Sequence, residues 1–166
     1  MPDTFSAVLT KLERRRADCS RRTSANTRDR EFGGLYPPAP KSVIVAAEKK
    51  LGFPLPPLLR QIYGKLANGG FGPGHGLIGL EGGYPVEELS LKEMSLVENY
   101  FYELSLGGEF CVKGSEGGVS WPEQLVEFCY LGCQGTYAVD CSKPDYPVIE
   151  GGRCGMSGHK KSAEAV

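Results

Sequence analysis

Several features that would assign a chemistry are scarce or missing in this sequence. The longest run without a charged residue, Leu66–Leu80, is rich in glycine and falls short of the ~20 apolar residues that a membrane helix needs. The chain is therefore expected to be soluble. It opens Met1-Pro2-Asp3-Thr4-Phe5, with an early acid and no basic start leading into an apolar core, so no secretory leader is read and a cytoplasmic location is expected. With 19 basic against 20 acidic residues the net charge is only −1, which argues against bulk binding to nucleic acid or membrane. No Gly-x-Ser-x-Gly, no His-Glu-x-x-His and no Cys–His pairing context occurs, so an enzyme is not expected. The six cysteines are irregularly spaced, and only Cys129 and Cys133 lie close together in sequence. His75 is far upstream and His159 sits in a polar tail, so neither metal nor cofactor is expected and free thiols are the default.

What remains is one domain's worth of chain, 166 residues, with 23 Gly and 12 Pro implying long connections between elements. The even charge total hides an uneven distribution. Residues 11–30 carry eight basic and three acidic groups, and residues 81–130 carry ten acidic and two basic. The basic stretch has little apolar content and reads as a solvated linker or as an arm for RNA or a partner, although no aromatic residue interleaves its arginines as base stacking would require.

Apolar periodicity places the elements. Phe5, Val8, Leu9 and Leu12 mark a short amphipathic helix starting near Thr4. After a proline-rich entry, Val43, Ile44, Ala47 and Leu51 line one face of a helix that stops at Gly52. Pro56 and Pro57 open the next helix, in which Leu58, Leu59, Ile62, Tyr63 and Leu66 repeat until Asn68-Gly69-Gly70 ends it. The glycine-rich stretch 69–76 follows a helix, leads into a strand-like Leu77–Leu80 and lacks a Gly-Lys-Ser/Thr ending, which excludes a phosphate loop. Gly69 there is expected to close the helix at positive φ. A third long helix is predicted from Pro85 to Leu104, with Val86, Leu89, Leu96, Val97, Tyr100 and Leu104 on its apolar arc and Glu87, Glu88, Glu98 and Glu103 outside it. Glu93 falls inside that arc, so the helix is kinked or interrupted there, or the side chain reaches out to solvent. The last third reads as antiparallel sheet: strands over 125–131 and 136–141 joined by Gly132-Cys133-Gln134-Gly135, and a third near 146–150, with Tyr137 and Val139 facing inward and Asp140 outward.

Glu48-Lys49-Lys50-Leu51-Gly52-Phe53-Pro54-Leu55-Pro56-Pro57, then Tyr63 and Asn68-Gly69-Gly70, resembles the opening signature of the SUKH superfamily, whose members include bacterial toxin-immunity proteins and fungal cell-wall regulators. Trp121-Pro122, the apolar strand after it, and Gly132-Cys133 followed by Tyr137-Ala138-Val139-Asp140 resemble the later strands and the Gly-Cys turn of that family. The resemblance covers about residues 40 to 150 and implies an α+β fold with helices packed on an antiparallel sheet. It departs at the end, where Gly151-Gly152-Arg153-Cys154-Gly155 stands in place of an aromatic-rich closing helix. The expected organisation is an N-terminal helix and basic arm over 1–35, the α+β domain over 36–152 and a polar, disordered tail over 153–166. Physically, the signature residues identify a fold and mark no site. The resemblance implies a cytoplasmic immunity protein that neutralises a protein toxin, commonly a nuclease, with a signalling or scaffolding adaptor of the fungal type as the alternative. Glu87, Glu88, Glu98 and Glu103 are the candidate partner-binding residues, since an acidic face can occupy and steer towards the basic cleft of a nuclease; an ordinary solvated helix face is the competing reading.

Overall fold

The structure is a computed structural model and describes residues 7–14, 36–87, 93–132 and 135–154. Helix α1 covers residues 7–14, α2 is Lys41–Leu51, and α3 is Pro57–Gln61, which runs into a π-helical turn at Ile62–Leu66. After β1 (Gly76–Leu77), β2 (Val86–Glu87) and β3 (Glu93–Met94) comes α4 (Leu96–Leu106), and then β4 (Glu109–Val112), β5 (Val119–Ser120), β6 (Leu125–Gly132), β7 (Gly135–Asp140) and β8 (Val148–Arg153). This is the α+β architecture expected, with helices against an antiparallel sheet. Six strands run in the order β1-β6-β7-β8-β4-β5, and β2 and β3 form a separate small ribbon.

Local chemistry explains the first helices. Pro40 leads into α2, whose Ile44, Ala47 and Leu51 are buried, and Gly52 ends it at φ 84°, donating its N–H to the Glu48 carbonyl at 2.9 Å. Glycine reaches this left-handed conformation without the penalty a Cβ brings. Pro57 occupies the first position of α3, where a missing N–H costs nothing. The predicted meander is present as β6, β7 and β8, with a register shift between Glu127 and Cys129. Along β7 the side chains alternate between two clusters: Tyr137 and Val139 pack with the main core, and Ala138 packs with Phe110, Trp121 and Leu125. Trp121 therefore anchors a smaller second cluster instead of the principal core. The main core is built by Tyr63, Leu55, Leu66, Ile78, Leu80, Leu96 and Val126, and α1 adds Leu9 to it.

Three features differ from expectation. Pro85 to Leu104 is not one helix: residues 86–87 and 93–94 pair as antiparallel strands, with Glu93 opposite Glu87, and α4 begins only at Leu96. Glu93 thus lies where the helix was expected and is interrupted. The local signal is Ser95, which accepts a bond from the Glu98 N–H while the Glu98 carboxylate accepts from the Ser95 N–H at 2.9 Å, a capping box that fixes the first turn. The free-thiol expectation also fails for one pair. Cys111 on β4 and Cys154 just beyond β8 form a disulfide across adjacent strands, with Cα atoms 5.2 Å apart. Spacing in sequence could not show it, because the pairing of β4 with β8 brings together residues 43 positions apart. Cys129 and Cys141 are free thiols, and Cys19 and Cys133 lie outside the described residues. The structured chain also continues past 152, since Arg153 closes β8 and Cys154 carries the disulfide.

Candidate functional site

The residues of the signature turn out to be joints that position a groove. Glu48 on α2 accepts the Leu55 N–H at 2.9 Å and an ion pair from Arg60 Nε at 3.2 Å, which locks the turn between α2 and α3. Leu51 and Leu55 are buried beneath it, and Pro56 caps α3. Tyr63 is fully buried and donates its hydroxyl to the Ile78 carbonyl at 2.7 Å; burial raises its pKa, so it stays a neutral donor. Asn68 does most of the positioning. Its Oδ1 accepts from Leu80 N–H at 2.8 Å, its Nδ2 donates to the Glu81 carbonyl at 3.3 Å, and its backbone carbonyl accepts from Tyr84 N–H at 2.9 Å. Gly69 and Gly70 follow at φ 86° and 81°; a Cβ at Gly69 would lie 2.6 Å from the Leu77 carbonyl oxygen, so the close approach requires glycine. In turn the Gly79 carbonyl accepts from the Leu96 N–H at 2.8 Å, which ties the loop over 80–84 to the start of α4.

Between α2, this loop and α4 lies a groove of about 1040 Å³. Its floor includes Ala47, Leu80, Met94 and Val97, and half-exposed Phe101 stands on its wall. Among the described residues, three carboxylates edge it, Glu81, Glu93 and Glu98, against one cation, Lys50, which pairs with Glu81 at 3.2 Å. An apolar concavity with an acidic margin suits a partner that presents apolar side chains beside basic ones.

The four glutamates predicted to share one exposed helix face do not. Glu87 lies on β2, and Glu88 falls outside the described residues. Glu98 is exposed on the groove's edge but its carboxylate is engaged in the capping box. Glu103 is only 3% exposed and forms an ion pair with Arg153 Nη2, whose guanidinium also donates to the carbonyls of Glu103 and Gly107 and sits 5.0 Å from the centre of the Trp121 ring. A charge so placed binds its own fold and is unavailable to a partner. Glu81 and Glu93, which pattern reading left out as candidates, join Glu98 at the acidic edge, and buried Glu103 is absent from it. The signal for Glu81 was its position right after the Leu77–Leu80 run, on a turn held by Asn68.

The later signature residues are structural too. Trp121 is 9% exposed, meets Phe110 edge to face at 5.3 Å between ring centres, and is followed by Pro122, whose carbonyl accepts the Leu125 N–H that starts β6. Gly132 ends β6 at φ 90°, with the His75 ring against it, and Cys133 lies outside the described residues. The free thiols are chemically quiet: burial pushes Cys129 up to about 11, and burial with the nearby Asp140 carboxylate pushes Cys141 up to about 12. Among the described residues, no group of three or more His, Cys, Asp or Glu is arranged to hold a metal ion. No described helix is long and apolar enough to cross a membrane.

Comparison with known proteins gives one family. The family model for the SMI1 / KNR4 family (SUKH-1) matches residues 38–160, which is most of the chain. No curated protein and no solved structure matches it.

Proposed function

The chain belongs to the SMI1 / KNR4 family (SUKH-1), and from that premise we propose that it is an immunity protein that captures a cognate protein toxin in the acid-edged groove between α2 and α4. Membership supports an immunity or adaptor role in general; the groove is the observation that favours capture of a basic partner. A nuclease toxin needs cationic residues around its cleft to hold phosphate, and an apolar hollow edged by Glu81, Glu93 and Glu98 complements such residues in charge. The action proposed is binding, without catalysis and without direct contact to nucleic acid or membrane. In support, the two free thiols among the described residues, Cys129 and Cys141, are held protonated by burial, and buried Tyr63 spends its hydroxyl on a backbone carbonyl.

The test is to express the protein encoded beside this gene and measure its association with the wild type and with the Glu81→Lys/Glu93→Lys variant. Both positions are exposed, so the fold should be unaffected. Association should slow tenfold or more at low salt, and the difference should shrink as the Debye length falls from about 30 Å at 0.01 M to about 10 Å at 0.1 M. Equal association rates for the two proteins would remove the groove from the interface. A neighbour with no toxic activity, together with recovery of kinases or cell-wall enzymes from cell extracts, would favour the adaptor role instead.

A further inference from the structure

A second groove lies on another face of α2, and its chemistry is opposite to the first. It encloses about 450 Å³ between the start of α2 and the α3/π-helical segment. Its floor is aliphatic, with Ala39, Ile44 and Pro57, and its margin carries Lys41, Arg60 and Lys65. No carboxylate among the described residues lines it.

Three observations make this more than a scatter of surface cations. First, Lys50 and Lys113 each have a glutamate partner, whereas Lys41 and Lys65 have no carboxylate within ion-pair distance among the described residues. Arg60 spends its Nε on Glu48 but keeps 45% of its side chain exposed. Secondly, Lys65 sits on a π-helical turn, Ile62–Leu66, a rare geometry that recurs at functional sites. Thirdly, the turn presents an exposed glycine, Gly64, in a helical position where glycine costs up to about 1 kcal/mol relative to alanine. A Cβ there would come within 3.3 Å of Ile44 Cδ1, so the glycine lets backbone form the wall and keeps the hollow open beside Ile44.

We propose that this groove docks an acidic peptide segment carrying aliphatic side chains, on a surface separate from the acid-edged groove. Uncompensated ammonium groups select carboxylates, and the guanidinium adds planar donors. The floor selects alkyl groups. A nucleic-acid strand fits less well, because no aromatic side chain among the described residues lines the hollow to stack a base. The proposal does not depend on the toxin reading, since α2 presents Val43, Ala47 and Lys50 to the first groove and Lys41 and Ile44 to this one.

The experiment uses the full chain with three fluorescent ligands: a peptide alternating Asp or Glu with Leu, the same peptide with Lys in place of the acids, and an oligothymidylate. Anisotropy at low salt should show saturable binding of the acidic peptide alone. Lys41→Glu/Lys65→Glu, at two exposed positions, should weaken it tenfold or more while keeping the wild-type melting temperature, and Glu81→Lys/Glu93→Lys should leave it unchanged. Titration of the acidic peptide into the wild type should shift the amide resonances of Gln61 and Gly64, a readout that needs no variant. Absence of saturable binding up to ~1 mM, or equal binding by the Lys41→Glu/Lys65→Glu variant, overturns the proposal. So does equal or tighter binding of the oligothymidylate, which would make the groove a phosphate-binding surface.

Discussion

Replacing Arg153 by Ala tests most directly how the end of the chain is held. The Arg153 side chain is 17% exposed and that of Glu103 5%, so the pair is largely withdrawn from water. Removing the arginine strands a buried carboxylate, and breaking one side of such a pair typically costs about 3 to 5 kcal/mol. It also frees the carbonyls of Glu103 and Gly107 at the end of α4, whose last turn contains no other basic residue. The stacking of the guanidinium on Trp121 adds about 1 kcal/mol, although the parts share one side chain and do not add in full. A loss of about 3 to 5 kcal/mol is expected, against a typical total of about 5 to 15 kcal/mol. Urea denaturation followed by the fluorescence of the single tryptophan measures it directly, because Trp121 packs against the altered residue. Glu103→Leu/Arg153→Met should recover much of the loss, since burying apolar groups in place of an ion pair is often neutral. A loss below about 0.5 kcal/mol for Arg153→Ala would show that water reaches the pair and that the ordering of the end of β8 has another cause.

This ion pair also marks where sequence reading stops. Glu103 lies only about 20° beyond the edge of the apolar arc drawn at 100° per residue, a margin smaller than the error of placing a helix axis by eye. Once α4 starts at Leu96, Glu103 is three positions from buried Tyr100 and seven from buried Leu96, which turns it inward. Its partner is 50 residues away on β8, in a stretch that reads as polar tail because one glycine-rich strand has neither apolar alternation nor β-branched content beyond Val148 and Ile149. Pairing with β4 and β7 supplies that order, and pairing is a tertiary fact.

Elements whose signals are local were legible. Helix α2, its Gly52 stop, the proline entry to α3 and the β6–β7–β8 meander all follow from periodicity and turn chemistry within short windows. The short strands β1 to β5 were missed or overextended because two to four residues cannot express a period. The start of α4 was readable but overlooked: Ser95 followed three residues later by Glu98 is a capping-box signature, and it outweighs apolar residues such as Val86 that continue the helical spacing by coincidence. For the site, the acidic bias of 81–130 was visible, but which carboxylates face outward depends on the loop that Asn68 pins, and no local pattern encodes that. The signature motif is legible in the sequence, yet its consequence, a groove fixed by Glu48, Tyr63 and Asn68, appears only in three dimensions.

Three further outcomes are expected. Gly69→Ala should cost about 2 to 5 kcal/mol by chemical denaturation, combining positive-φ strain with a clash against backbone that cannot step aside; Gly52→Ala, at φ 84° with nothing within 4 Å of a Cβ, should cost only the strain of about 1 to 2 kcal/mol. If both cost the same, the tight packing around Gly69 is misread. The thiols of Cys129 and Cys141 should resist a thiolate-specific reagent at pH 8 in the native protein and react on unfolding; and because burial raises both pKa values, their contribution to stability is complete below the unfolded value near 8.5 and is lost as pH rises towards about 11 to 12. Prompt native labelling of Cys129 would place it at the surface. The last concerns Cys111 and Cys154, which close a loop with a sequence separation of 43 and sit on β4 and at the end of β8, where Arg153 already binds α4. By the chain-entropy relation, a loop of that length restricts the unfolded state by about 4 kcal/mol. Reduction should therefore lower the melting temperature by well over 5 °C, and Cys111→Ser/Cys154→Ser should melt at the reduced protein's temperature and be insensitive to reductant. Reduction should not unfold the domain outright, because the β6–β7–β8 ladder and the main core do not contain the bond. Alkylation under denaturing conditions, before and after reduction, should differ by the two thiols of this pair; the same thiol count in both would show that the bond does not form in the protein as prepared, and the reductant effect should then vanish with it.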